Sequence, residues 1–170
     1  MLMTAGSVFL PVWSVRSETY FTIPEAKIAL WGDKLMTPVE VVLTEQQADS
    51  IAAASDVRVR HLTMQVWRVE GGGWFIVDQI IGKHENIDMA FAYHKDGTVK
   101  GMEIMTYRET YGYEVAHPKW RMQFHGKNYI EHLKLDKQIK NISGATLSCR
   151  HITDGVNRLN HTWEQVLRHL

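Results

Sequence analysis

Apolar and polar residues alternate through the middle of the chain and recur at helical spacing on either side of it. Met64-Gln-Val-Trp-Arg-Val69 alternates, Gly71-Gly-Gly73 turns the chain, and Trp74-Phe-Ile-Val77 begins a second β-rich run. Residues 87–93 and 98–105 form a further pair of such runs around Lys95-Asp96-Gly97. Asp-Gly between β-rich runs predicts a tight hairpin with positive φ at both turn positions. The stretch from about residue 57 to 113 therefore predicts antiparallel sheet.

The flanking regions read as helix. From about residue 20 to 56, Thr22-Ile-Pro-Glu25 and Thr44-Glu-Gln-Gln47 have the spacing of capping boxes. Pro24 stands early in its helix, where a missing N–H costs little. The second box opens a short helix with Ala48, Ile51 and Ala52 on one face. From His117 onward, Pro118 opens a helical turn that runs through Phe124. Leu147, Ile152, Val156, Leu159, Trp163 and Val166 then recur at steps of five, four, three, four and three, close to a helical period. Gly155 interrupts that run at a cost of about 1 kcal/mol relative to Ala. The expected architecture is α+β: an antiparallel β meander with helices packed at its ends and on one face, as a single domain over residues 18–170.

Composition narrows the function classes. The 170 residues suit one domain, and an apolar share of 45% supports a core. Nineteen acidic residues balance nineteen basic ones, which removes any electrostatic case for nucleic acid or an anionic bilayer as partner. A single cysteine, Cys149, excludes an internal disulfide and a Cys-based zinc site. Its expected role is a small buried hydrophobe. No spacing among the nine histidines matches a zinc pattern, and no metal site is expected. Arg58, Arg60 and Arg68 read as a solvated face.

Residues 5–15 carry no charge. The stretch is too short to span a bilayer, which takes about 20 apolar residues, but it fits the apolar core of a secretory signal. Residues 1–17 are accordingly expected to be a signal or an N-terminal apolar segment. That places the protein in the periplasm or on the outer face of the cytoplasmic membrane.

The candidate chemistry lies at Asn141-Ile-Ser-Gly-Ala-Thr-Leu-Ser148. Small residues directly precede an amphipathic helix, whose first turn has unpaired N–H groups and partial positive charge. Gly144 and Ala145 leave room for a bulky anion, and Thr146 and Ser148 add hydroxyls. The place suits a phosphate. The plainer alternative is that Ser143 caps the helix.

Ser143-Gly144-Ala145-Thr146 resembles the flavinylation motif of the FMN-binding domain family. That family includes flavin-carrying components of the sodium-pumping NADH:quinone oxidoreductase and of the Rnf electron-transport complex. The likeness extends over about residues 82–159, through Gly82, the Asp96-Gly97 hairpin, Glu109-Thr110-Tyr111-Gly112, Trp120, Gln123-Phe124 and Gly126-Lys127. It implies that a flavin transferase joins FMN through its phosphate to Thr146. Ser143, Gly144, Ala145, Leu147 and Ser148 would surround the phosphate, while Glu109, Thr110, Gly112 and Tyr113 would line the ring or ribityl chain. The implied function is electron transfer to or from a membrane-bound redox protein or complex, as a carrier more than a stand-alone enzyme. The chain departs from the family pattern at Lys140, where the family usually has Asp, and at Tyr111, which replaces Pro. A Tyr ring is therefore expected at the flavin edge. Two other classes fit the same residues. One is a non-redox ligand- or protein-binding module with Thr146 unmodified. The other is a flavin reductase with His84 or Tyr113 as proton donor.

Overall fold

The computed structural model describes residues 18–82 and 84–170; the apolar segment 1–17 lies outside the described residues. The chain runs β1 (Glu18–Thr19), α1 (Ile23–Trp31), β2 (Met36–Val42), α2 (Glu45–Ser55), β3 (Thr63–Val69), β4 (Trp74–Ile81), β5 (Asn86–Tyr93), β6 (Val99–Tyr107), α3 (Pro118–Arg121) and α4 (Thr146–Gln165). All pairings in the sheet are antiparallel, in the order β1-β6-β5-β4-β3-β2. Strands β2 to β6 form a meander, and β1 adds a short strand outside β6. The α+β class and the antiparallel meander expected from the pattern are observed, but the helices pack on both faces of the sheet and not on one.

Both capping boxes form. Thr22 Oγ1 accepts from Glu25 N while Glu25 Oε2 accepts from Thr22 N at 2.7 Å. Gln47 N and Thr44 N make the reciprocal pair at 3.1 and 2.9 Å. Ala48, Ile51 and Ser55 are the buried face of α2.

One element departs from the sequence pattern. Residues 36–42, inside the stretch expected to be mostly helical, form strand β2, paired with β3 along its length. Pro38 would be out of place in a central strand, but β2 is the edge of the sheet, where one side of the backbone needs no ladder partner. The hairpin at Asp96-Gly97 also differs from expectation. Only Gly97 has positive φ, 83°. His94 N donates to Thr98 O at 2.9 Å and Gly97 N to His94 O at 3.0 Å, which closes a three-residue loop. A type I turn followed by a left-handed glycine needs positive φ at the glycine alone.

The two faces of the sheet carry separate cores. Ile76, Met89, Phe91, Met102 and Ile104 pack with α4, through Cys149, Ile152, Val156, Leu159 and Trp163. Phe75, Ala90, Ala92 and Met105 pack with Ala26, Leu30 and Trp31 of α1 on the opposite face. Along α4 the core positions step by three, four, three and four from Cys149 to Trp163. Leu147 is 41% exposed and lies outside this stripe, whereas Cys149 is fully buried. Replacing Leu147 by Cys149 removes the irregular first step of five from the pattern. Gly155 has a steric reason: a Cβ there would overlap Ile80 Cδ1.

Candidate functional site

Three segments meet at one end of the sheet: the β4–β5 turn, the chain leaving β6, and the N-terminus of α4. They enclose a cavity of about 440 Å³ lined by His84, Glu109, Thr110, Tyr111, Gly112 and residues 144–148. That volume lies within the usual range of small-molecule sites.

The start of α4 decides what the cavity can hold. Ala145 occupies the N-cap position and its methyl cannot accept a hydrogen bond; among the described residues no side chain caps this helix. Ser143 lies upstream of the cap, so the plainer alternative of a capping serine is not what the structure has. Cys149 N is the first amide to bond back, to Ala145 O at 2.9 Å. The N–H groups of Thr146, Leu147 and Ser148 have no partner among the described residues. A first turn without a cap, at the positive end of a long helix, favours an anion. Gly144 has φ of 88° and open space where a Cβ would be, so the approach to these amides is clear.

Thr146 is half-buried, and its hydroxyl is held in place. Asn141 Nδ2 donates to Thr146 Oγ1 at 3.0 Å, while Asn141 Oδ1 accepts from Ile142 N at 2.8 Å. The segment leading here is fixed in turn. Trp120 Nε1 donates to Lys140 O at 2.7 Å, and Lys140 N donates to Gln123 Oε1 at 2.8 Å. Trp120 and Gln123, which the sequence marks only through a resemblance, thus clamp the segment that delivers Thr146. Lys140 contributes its backbone to this clamp.

Ser148 is less free than its sequence position suggests. Tyr107 OH donates to Tyr111 O at 2.6 Å and lies 2.9 Å from Ser148 Oγ. With its own proton on Tyr111 O, Tyr107 accepts the Ser148 proton. Burial pushes the Tyr107 phenol up, against the Ser148 hydrogen bond that lowers it, so it stays protonated and keeps both bonds. The donor Ser148 offers to the cavity is therefore its backbone N–H. Gly112 makes this arrangement possible. Its φ is 88°, and a Cβ there would stand 2.7 Å from Ser148 Oγ and 2.8 Å from Tyr107 OH.

Glu109 is buried, and its Oε1 accepts from His84 N at 2.6 Å and Glu85 N at 3.1 Å. It ties the β4–β5 turn to the end of β6, a structural duty beside its place in the cavity wall. Thr110 and Tyr111 are exposed, Tyr111 by 79%.

Of the residues singled out in the sequence, the cavity brings together Gly144, Ala145, Thr146, Leu147, Ser148, Glu109, Thr110 and Gly112. Ser143 and Tyr113 are not in its wall; Tyr113 is exposed at the start of a short 3-10 turn. Tyr111 supplies the aromatic ring, and His84 joins from the β4–β5 turn. Tyr107 is an addition that the sequence does not single out, and Asn141, which opens the stretch 141–148, gains a role that the sequence does not assign. Asn141 lies five residues before Thr146, across a turn that only the fold closes. Tyr107 ends a strand and looks like core. Among the described residues, no group of three or more His, Cys, Asp or Glu is arranged to hold a metal ion.

A family model described as the FMN-binding domain matches residues 82–160. The match spans the β4–β5 turn, β5, β6, the clamp and most of α4, and so contains every residue of the cavity wall. No curated protein matches the chain.

Proposed function

We propose, from the match of residues 82–160 to the FMN-binding domain model, that the protein is an electron-transfer flavoprotein with FMN attached through its phosphate to Thr146. The observation that carries this reading is the uncapped first turn of α4, whose free amides and Thr146 hydroxyl share one cavity. The amides of Thr146, Leu147 and Ser148 hold phosphate oxygens, and Thr146 Oγ1 provides the ester oxygen. Asn141 orients that oxygen. Gly112 and Ala145 keep the wall low, Tyr111 and Leu147 offer apolar surface, and Glu109 keeps the β4–β5 turn closed beneath. The bound flavin supplies one- or two-electron chemistry, and the chain supplies attachment and orientation.

Attachment requires a flavin transferase as a maturation partner, which would form the Thr146 Oγ1–P bond as the phosphoanhydride of an activated flavin dinucleotide breaks, the nucleoside monophosphate leaving and the hydroxyl proton passing to solvent; the carrier role implies a membrane-bound redox protein or complex as donor or acceptor. The uncharged stretch 5–15 supports a location in the periplasm or on the outer face of the cytoplasmic membrane. A tethered flavin suits that setting, where a dissociated cofactor is not readily replaced.

The test is intact mass after co-expression with a flavin transferase. A gain of one esterified FMN, absent in Thr146→Ala, is the expected result. An unmodified protein from a host that flavinylates a control substrate would overturn covalent attachment. Visible absorbance that survives in Thr146→Ala would then separate non-covalent flavin binding from no flavin binding.

A further inference from the structure

β3 and β4 do not pair along their full lengths. Their register runs from Gln65 opposite Val77 to Arg68 opposite Trp74. β3 continues beside β2 to Thr63, and β4 continues beside β5 to Ile81. The two strands therefore part inside the sheet, and a cavity of about 630 Å³ opens between them. It is larger than the cavity at Thr146 and shares no residue with it. Ile23 and Met105 line it from the α1 side, and His151, Asp154 and Arg158 line it from α4.

Its walls are mixed in a particular way. Met64, Val77, Ile80 and Ile81 give an apolar interior between the strands. Two of its carboxylates are already neutralised, Asp78 by Arg158 and Asp88 by Arg108. Two of its cations are not: Arg58 and Arg60 are exposed, line the cavity, and form no ion pair among the described residues. Asp154 is the remaining acid, and burial pushes its carboxyl up against the opposing pull of His151. An apolar slot with free arginines at its edge matches a ligand with an apolar body and an acidic head.

We propose that the gap between β3 and β4 is a binding site for an amphiphilic carboxylate, with Arg58 and Arg60 taking the head group and Met64, Val77 and Ile80 holding the apolar body. This site makes no use of the flavin cavity and stands whether or not Thr146 is modified. It also gives Arg58 and Arg60 a role that Arg68, on β3 over the Trp74 ring, does not share.

The test is isothermal titration of the full chain, flavin-loaded and flavin-free, with decanoate below its micellar concentration. Decanol and acetate serve as probes of the tail and the head alone. The expected result is saturable binding at one site per chain for decanoate in both forms, with neither control saturating over the same range. The Arg58→Ala/Arg60→Ala variant, whose changes are exposed and whose fold is checked by circular dichroism, should weaken decanoate by roughly tenfold or more, the scale of losing charge-assisted hydrogen bonds. Absence of a saturable phase, equal binding of decanol, or affinity unchanged in the double-arginine variant would overturn the site. Loss of binding only on flavin loading would place decanoate at Thr146 and overturn it too.

Discussion

The side-chain amide of Asn141 donates to the hydroxyl of Thr146 across 3.0 Å. Its other end is fixed by the Ile142 amide, so the Thr146 rotamer is set by a short, local device. At Lys140 the chain departs from the family pattern; the neighbouring residue, Asn141, holds the Thr146 hydroxyl.

Asn141→Ala should slow flavin loading of Thr146 without abolishing it. One hydrogen bond is worth about 0.5–1.5 kcal/mol, or roughly a two- to tenfold slower gain of the FMN mass under limiting transferase. Asn141→Gln, whose amide lies one methylene further out, should not restore the rate. Loading at the wild-type rate in Asn141→Ala would show that Thr146 needs no positioning.

Tyr107→Phe removes the hydroxyl that links Ser148 to the Tyr111 carbonyl. The expected loss is about 1–3 kcal/mol, the range for leaving buried polar groups unsatisfied. Urea unfolding measures it, and an unchanged midpoint would show that this link between β6 and α4 contributes nothing to stability. Gly112→Ala should be similarly destabilising, by about 1–3 kcal/mol from strain and overpacking, because its Cβ meets the same two hydroxyls at positive φ.

Gly155→Ala tests a close approach in place of a turn. Helix propensity alone would make it stabilising by about 1 kcal/mol, but the new methyl meets Ile80 Cδ1, and the variant should melt below wild type. In an Ile80→Val background that atom is gone, and the same substitution should become neutral or stabilising. A gain in melting temperature from Gly155→Ala alone would contradict the packing.

Stability should fall on the alkaline side. Burial pushes up the Cys149 thiol and the Tyr93 and Tyr107 phenols. For an acid raised in the folded state, the stabilisation of its protonated form is complete below the unfolded pKa. The unfolded chain ionises first as pH rises, and stability is lost toward the folded pKa. The decline should begin near the unfolded values, about 8.5 for the thiol and about 10 for the phenols. Melting temperatures measured from pH 7 to 11 would show it, and a flat profile through pH 11 would count against the burial of these groups. Consistent with this, Cys149 should resist thiol reagents at pH 8 until the chain is unfolded.

The local elements of this protein are legible in its amino-acid order. Two capping boxes, the glycine turn, the alternation of β3 and the helical stripe of α4 are short-range patterns, and the backbone responds to them within a few residues. Gly144-Ala145-Thr146 at a helix start is legible too, since the small residues and the amphipathic run are contiguous. Which of these parts meet is a matter of long-range packing. β2 is hidden in the sequence because Pro38 and its polar neighbours are tolerated only on an edge strand, and edge position depends on the order of the whole sheet. Ser143 is displaced from the cap by the path of residues 141–145, and that path is set by Trp120 and Gln123 from another segment. Tyr107 and Asn141 join the site through hydrogen bonds closed by chain crossings rather than by any repeat. The gap between β3 and β4 belongs to the same class: each strand reads as continuous, and only the divergence of their partners separates them.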